Sequence, residues 1–172
     1  RNISKFLVPG RHVHLVGIGG VSMRPLGLVL KGMGVVVTGS DMNASVSTDE
    51  LIAKGIQVSI GHSADNIKNA DFIIRTAAAH NDNPEIAAAR AAGVPVIAGE
   101  EGICAGCGIA TLSISYYDLG VKTAEMAAQI LKCEADISTM PIAYADKQTP
   151  KYNADICAAL GINPLDGYEP IG

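Results

Sequence analysis

The feature that most constrains the fold is a glycine-rich turn, Gly17-Ile18-Gly19-Gly20, between a predicted strand and a predicted helix. The strand at residues 13–16 is short and apolar, and the helix at residues 22–33 has its apolar side chains on one face. Glycines let a backbone turn tightly, and the first amides of a helix attract anions. The residues alone leave two interpretations open: a phosphate site, or a tight turn without a ligand.

Predicted strands and helices alternate along most of the chain. Strands are predicted at residues 13–16, 35–38, 56–60, 71–76, 94–97, 110–116 and 141–144, and helices at residues 22–33, 48–54, 83–92, 119–132 and 152–160. This alternation predicts an α/β fold over residues 1–172, with a single doubly wound, Rossmann-like parallel sheet and helices on both faces. We expect the first five strands in the order 3-2-1-4-5, with strand 110–116 beside the fifth and helix 119–132 packed on the sheet.

Composition narrows the class of protein further. Hydrophobic residues make up 48% of the chain and charged residues 17%, so disorder is not expected. The net charge of −4 and the lack of a basic cluster argue against nucleic-acid binding. Neither a membrane-spanning run nor a signal peptide is visible in the sequence. We therefore expect a cytoplasmic protein without membrane contact, either a monomer or a weak homodimer.

The cysteines do not indicate a disulfide scaffold or a metal centre. Cys104 and Cys107 form one C-x-x-C pair inside a predicted glycine-rich loop at residues 99–108, and no second pair lies nearby. Zinc would need two further ligands, and a thioredoxin-type pair would begin a helix after a strand. The pattern favours a structural loop, and we expect no metal and no cofactor.

Other polar residues are expected at the same sheet edge as the turn. Asp41 ends the second strand, where an acid in dinucleotide-binding folds accepts hydrogen bonds from a ribose, although a turn cap is an equal alternative. His62 and the loop at residues 80–83 follow the third and fourth strands and could contact a ligand or simply be solvated. Ser22 stands where the strict dinucleotide fingerprint has its third glycine, so that match is incomplete.

Four segments resemble the N-terminal domain of the UDP-N-acetylmuramate–L-alanine ligases: SKFLVPGRHVHLVGIGGVSM from Ser4, TGSD from Thr38, GH from Gly61 and RTAAAHNDNPE from Arg75. In that family this domain holds the UDP-sugar. The resemblance implies a glycine turn near the diphosphate, Asp41 and His62 near the nucleoside, and a loop flanking the sugar. The candidate ligand-binding residues are Gly17, Ile18, Gly19, Gly20, Ser22, Met23, Asp41, His62, Thr76, Ala77 and Asn83.

Residues from 98 to 172 resemble a second family, the C-terminal part of type I periplasmic-binding-protein-like substrate-binding proteins of ABC importers. The resemblance rests on GEEGICAGCGIATLSISYYDLGVKTAEMAAQILK, MPIAYAD and KYNADICAALGI. It covers only the closing segments of a two-lobed fold, and that family usually has glycine where this chain has Cys133. We interpret the chain as an engineered chimera of a ligase-like segment, residues 1–97, and this second segment, and expect one cooperative unfolding transition.

Three functional hypotheses follow. The first is an engineered scaffold without catalytic activity that retains weak UDP-sugar or phosphate binding at the glycine turn. The second is a UDP-N-acetylmuramate-binding module of a peptidoglycan-synthesis ligase. The third is a nicotinamide-dependent oxidoreductase, which lacks a catalytic acid–base pair. The ligase family binds ATP through a G-K-T phosphate loop in a following domain, and this sequence contains no such loop, so we expect no ligase activity and no catalytic residues.

Overall fold

The structure, a computed structural model, describes residues 8–99, 101–163 and 166–171. Ser4, where the ligase-like segment begins, lies outside them, as do residues 164, 165 and 172 of the predicted irregular tail. The strands are β1 His12–Val16, β2 Val36–Asp41, β3 Gln57–Ile60, β4 Phe72–Arg75, β5 Val96–Ala98, β6 Ala110–Ile114, β7 Gln148–Tyr152 and β8 Glu169–Pro170. The helices are α1 Met23–Gly32, α2 Val46–Ala53, α3 Pro84–Ala92, α4 Glu101–Cys107, α5 Tyr116–Leu131 and α6 Ala154–Ala159, with a short 3-10 helix at Ala64–Ile67.

The first five strands form a parallel sheet in the order β3-β2-β1-β4-β5. The Rossmann-like α/β class and the predicted strand order are therefore confirmed. β1 lies at the centre, between β2 and β4, with His14 opposite Thr38 of β2. All strands of such a sheet end at one edge, and the glycine turn follows β1 at that edge.

Helices cover both faces of this sheet, as predicted. On one face, Leu30 of α1 and Leu51 of α2 pack with Val13 and Leu15 of β1. On the other face, Ile86 and Ala89 of α3 pack with Val16 of β1 and Ile73 of β4. The side chains of a strand alternate between the two faces, so β1 contributes to both cores. His14 is the one buried polar residue of this strand and is 1% exposed.

The remaining strands form a second sheet instead of extending the first. β6 pairs antiparallel with β7, and β8 lies on the other side of β7. The prediction that strand 110–116 adds beside the fifth strand is therefore wrong. The chain does touch β5 just before β6, where the Ile109 amide donates to the Val96 carbonyl at 2.6 Å. A small core of Ile109, Ala110, Cys157 and Ile162 lies under this sheet.

Three further expectations for the second half are also wrong. Residues 99–108 contain helix α4 rather than only a loop, so the C-x-x-C pair lies on a helix. Residues 141–144 are irregular, and the strand instead lies at β7. Helix α5 forms almost where it was predicted, but none of its residues is buried, so it does not pack on the sheet. None of the described helices is long and apolar enough to cross a bilayer.

Candidate functional site

The glycine turn is held against the end of β2 by backbone hydrogen bonds. The amides of Gly17 and Ile18 both donate to the Ser40 carbonyl, at 2.8 and 2.9 Å. Gly20 donates to the Gly17 carbonyl at 3.1 Å, which closes the turn. Gly17 has φ of +81°, and an added Cβ would lie 2.5 Å from Thr76 Cγ2. Position 17 therefore requires glycine for both its backbone conformation and its contact with the loop after β4.

Asp41 fixes the middle of the turn from the end of β2. Its Oδ2 accepts the Gly19 amide at 2.9 Å, and its Oδ1 accepts the Asn43 amide at 3.4 Å. Its backbone carbonyl accepts the Gly61 amide at 2.8 Å, which brings the His62 segment alongside. Asp41 thus acts as a turn cap, and it joins the glycine turn to the loop after β3.

The free donors of this region lie just beyond the glycines. Within the described part of the chain, the amides of Val21, Ser22 and Met23 donate to no acceptor. Ser22 is the N-cap of α1, and its side chain makes no capping bond. Three unpaired amides at the start of a ten-residue helix give this point a positive potential. The arrangement can bind an anion such as a phosphate.

A buried carboxylate, Glu85, lies behind the turn on the α3 face of the sheet. Its Oε2 accepts the Ser40 hydroxyl at 2.7 Å and lies 3.0 Å from His62 Nδ1. Its Oε1 accepts the Asn66 side-chain amide at 2.6 Å and lies 3.7 Å from His14 Nε2. The Glu85 side chain is 0% exposed. One carboxylate thus joins the sheet, the 3-10 helix and the loop after β3.

The charge state of Glu85 follows from these contacts. Burial alone raises the pKa of this carboxyl group. The approach of His14 and the hydrogen bonds from Ser40 and Asn66 outweigh burial and lower the pKa of Glu85 to about 2. The group is therefore ionised near neutral pH and acts only as a hydrogen-bond acceptor.

The loop after β4 is organised by a second buried charge. Arg75 is 4% exposed and donates to Asn81 Oδ1 at 2.6 Å, to Cys107 Sγ at 3.0 Å and to the Ala79 carbonyl. The loop and α4 line a cavity of about 530 Å³, and Ala77 and Asn81 are among the lining residues. Arg75 therefore shapes the loop that the sequence places beside the glycine turn.

The structure brings together some of the predicted site residues and separates others. Contacts join the glycine turn to Thr76 and Asp41, and His62 lies beside Ser40, which holds the turn. The side chains of Ile18 and Met23 lie in the core instead. Asn83 caps α3 by accepting the Glu85 amide at 2.9 Å, and Ala77 lines the cavity beside α4.

Sequence reasoning missed Glu85, Ser40 and the free amide of Val21. Glu85 stands in the first turn of a helix, where acidic residues are common, so its position gave no signal. The sequences of β1 and β2 did indicate a buried polar network, because central parallel strands are normally apolar throughout. His14, Thr38 and Ser40 interrupt that pattern, and a buried polar network explains the interruption.

The C-x-x-C pair does not form a second site. Cys104 and Cys107 are both buried, and neither forms a disulfide. Among residues 8–99, 101–163 and 166–171, no group of three or more His, Cys, Asp or Glu side chains could hold a metal ion.

Comparison with known proteins identifies the family of the first half. The model of the Mur ligase family, catalytic domain, matches residues 12–103. The chain belongs to the Mur ligase family. A UDP-N-acetylmuramate–L-alanine ligase from Acetivibrio thermocellus is 47% identical over 87 residues, 51% of this chain and 19% of that protein. The corresponding ligase from Laribacter hongkongensis is 45% identical over 87 residues, with the same coverage.

A solved structure agrees with these relatives. The UDP-N-acetylmuramate-alanine ligase from Thermotoga maritima is 39% identical, with a TM-score of 0.50, over 51% of this chain and 20% of that one. The chain thus spans about a fifth of the length of the Mur ligases that it matches. Membership in this family replaces the hypothesis of a nicotinamide-dependent oxidoreductase.

Proposed function

We propose that the first half of this chain is a UDP-N-acetylmuramate-binding module of a Mur ligase, acting in the cytoplasm. The observation that carries the proposal is the group of three unpaired amides, Val21, Ser22 and Met23, at the start of α1. They lie beside the glycine turn at the carboxyl edge of a parallel sheet, where such folds bind ligands. The matched relatives are named for a UDP-sugar acid, whose diphosphate suits such a helix end.

The residues around the turn have distinct roles in this proposal. The diphosphate accepts hydrogen bonds from the amides at the start of α1, and Gly17, Gly19 and Gly20 keep the turn open to it. Asp41 and His62 lie on the nucleoside side. Thr76 and Ala77 lie on the sugar side, in the loop that Arg75 holds. Glu85 and Ser40 support the turn and His62 from behind.

We propose that these 172 residues do not catalyse ligation by themselves. The sequence contains no G-x-x-x-x-G-K-[ST] loop, the usual cradle for the phosphates of ATP in such enzymes. No described residue is assigned a catalytic role.

The test is a calorimetric titration with UDP-N-acetylmuramate, UDP and uridine. We expect binding of both diphosphate ligands and a much weaker response to uridine, because the unpaired amides recognise phosphate. Gly17→Ala should lower the affinity at least about tenfold, since the turn must open to admit the new Cβ. Gly32→Ala, at the far end of α1 with open space around it, is the matched control and should leave binding unchanged.

The second candidate is the engineered chimeric scaffold, with the C-terminal segment taken from a periplasmic-binding-protein-like protein. Two observations favour separate origins: the family match ends at residue 103, and the second sheet has its own small core. The same titration separates the candidates, because the absence of heat with UDP-N-acetylmuramate at millimolar concentration would favour the scaffold, whose residual binding is weak. If the halves share one folding unit, as we propose, circular dichroism shows a single unfolding transition.

A further inference from the structure

The orientation of the His62 ring is determined by its contact with Glu85. His62 Nδ1 lies 3.0 Å from Glu85 Oε2 and 3.1 Å from the Ser40 hydroxyl oxygen. The Ser40 hydroxyl donates its own proton to the same Glu85 oxygen at 2.7 Å. Both atoms that face Nδ1 therefore act as hydrogen-bond acceptors. Only a protonated Nδ1 satisfies this arrangement, because an unprotonated nitrogen would face two oxygen lone pairs.

The other ring nitrogen of His62 points away from this network. Its imidazole is 12% exposed, and no described residue makes a hydrogen bond to Nε2. Nε2 is not among the buried polar atoms of the described residues that lack a partner, so it is open to solvent. The Gly61 amide donates to the Asp41 carbonyl, so His62 stands at the same sheet edge as the glycine turn.

We propose that Glu85 is a positioning residue that keeps the His62 proton on Nδ1, so that Nε2 faces the ligand edge as a hydrogen-bond acceptor. The ligand group that fits is a hydrogen-bond donor, a hydroxyl or a ring N–H. The contact with a ligand rests on the function proposed above, with the nucleoside part of the ligand lying beside His62. The assignment of the proton does not rest on that function, because the contacts inside the protein determine it.

The groups around Glu85 support this assignment. The only other titratable side chain that faces the carboxylate in the described residues is His14 of β1. His14 Nδ1 is bound to Thr38 Oγ1 at 2.9 Å, and its Nε2 lies 3.7 Å from the opposite Glu85 oxygen. Asn66 is neutral and donates to that same oxygen. His62 is thus the ring in direct hydrogen-bond contact with Glu85.

Nitrogen-15 NMR of the histidine rings tests the assignment without any ligand. The His62→Ala variant identifies the His62 signals. We expect a protonated Nδ1 and an unprotonated Nε2 in the neutral ring of the wild-type protein. In Glu85→Gln, the side-chain amide can donate as well as accept, so the two neutral forms should become about equally populated. A wild-type His62 with its proton on Nε2 would overturn the proposal.

Titration with UDP tests the contact at Nε2. His62→Asn keeps an N–H group where Nδ1 was but has no atom in place of Nε2. We expect the affinity for UDP to fall by about tenfold, the loss of one good hydrogen bond, with an unchanged melting temperature. His12→Asn, the same substitution at the opposite edge of the sheet, should leave the affinity unchanged.

The two experiments separate the two proposals. In Glu85→Gln, only about half of the neutral His62 rings should carry their proton on Nδ1 and leave Nε2 free to accept a hydrogen bond. The UDP affinity should therefore fall about twofold. Unchanged affinity in His62→Asn would remove Nε2 from the ligand contact. If the wild-type protein does not bind UDP at all, the proposed function fails, whereas the NMR result still decides whether Glu85 sets the form of His62.

Discussion

Residues 12–98 bury both faces of their sheet, whereas residues 110–171 leave their longest helix without a single buried residue. In the first half, β1 and β4 are buried almost completely, and helices cover them on both sides. In the second half, no residue of β7 is fully buried, and Leu112 of β6 is 54% exposed. The two halves therefore differ in how much of their apolar surface is removed from water.

The difference follows from strand direction. A parallel sheet is stable when both faces are covered, and the connections between its strands supply the helices that cover them. An antiparallel sheet such as β6–β7 can leave one face open to water. Helix α5 carries an apolar stripe, yet Val121 is 41% exposed and Leu131 is 84% exposed. The first half should therefore carry most of the stability of the molecule.

The largest expected effect comes from the same substitution made in both halves. Leu51 of α2 is 0% exposed, and truncating it leaves a cavity in the core. Leu51→Ala should lower the free energy of unfolding by about 2–5 kcal/mol. Leu131→Ala on α5 should change it by less than about 0.5 kcal/mol. Urea denaturation measures both values, and a comparable loss in the two variants would contradict the difference between the halves.

Acid should affect the first half through Glu85. In the folded protein the pKa of Glu85 is about 2, below the ordinary value of 4.5. A depressed pKa stabilises the folded state above the unfolded-state value, and this stabilisation is lost as the pH falls through the folded-state value. Glu85 should therefore contribute about 3 kcal/mol at neutral pH, lost progressively between about pH 5 and pH 2. Glu85→Gln should remove this part of the pH dependence.

A more exposed carboxylate outside the first half, Glu101 of α4, should respond less. A hydrogen bond from Lys151 lowers the pKa of Glu101, but the Glu101 side chain is 35% exposed and solvent screens the pair. Glu101→Gln should remove less than about 1 kcal/mol of pH-dependent stability. Urea denaturation of both variants between neutral pH and pH 3 measures the two contributions. Equal contributions would mean that burial does not distinguish these two groups.

The sequence predicted the fold best where local patterns and packing agree. The first five strands and their order could be derived because glycine stops, helix caps and apolar runs alternate regularly. Helix α5 shows that such local patterns do not predict which element packs against a helix. Periodicity predicts a helix and its apolar face, but the partner for that face depends on which strands pair. β6 pairs with β7, some 35 residues later in the chain, and no local signal encodes that pairing.

The candidate site was also predictable only in part, because some of its residues follow from local patterns and others depend on long-range packing. The turn and Asp41 could be located because they follow strands that end at one edge. Glu85 could not, because its importance depends on where α3 packs against β1 and β2. The sequence predicts phosphate contacts at the glycines, yet the amides of Gly17, Gly19 and Gly20 donate to acceptors inside the protein and hold the turn together. The unpaired amides begin at Val21, the residue after the last glycine of the turn, and only the three-dimensional structure shows this.

The last comparison is between the ends of two helices. Gly93 after α3 has φ of +66°, and Cys133 after α5 has φ of +60°. Each end has the same type of backbone hydrogen bond, which closes the last turn: the Val94 amide donates to the Ala89 carbonyl after α3, and the Glu134 amide donates to the Gln129 carbonyl after α5. The two backbones are equivalent, but only the first has the residue that tolerates a positive φ without strain.

Opposite substitutions at these two positions should therefore have opposite signs. Gly93→Ala should destabilise the protein by about 1 kcal/mol, since its Cβ meets only Leu160 at an ordinary 3.8 Å and backbone strain is the main cost. Cys133→Gly should stabilise it by about 0.5 kcal/mol, because relief of strain exceeds the added chain entropy of glycine. Cys133→Ala keeps the strained backbone and should leave stability unchanged in the same urea measurement. If Cys133→Ala stabilised as much as Cys133→Gly, the exposed thiol rather than the backbone would be the cause.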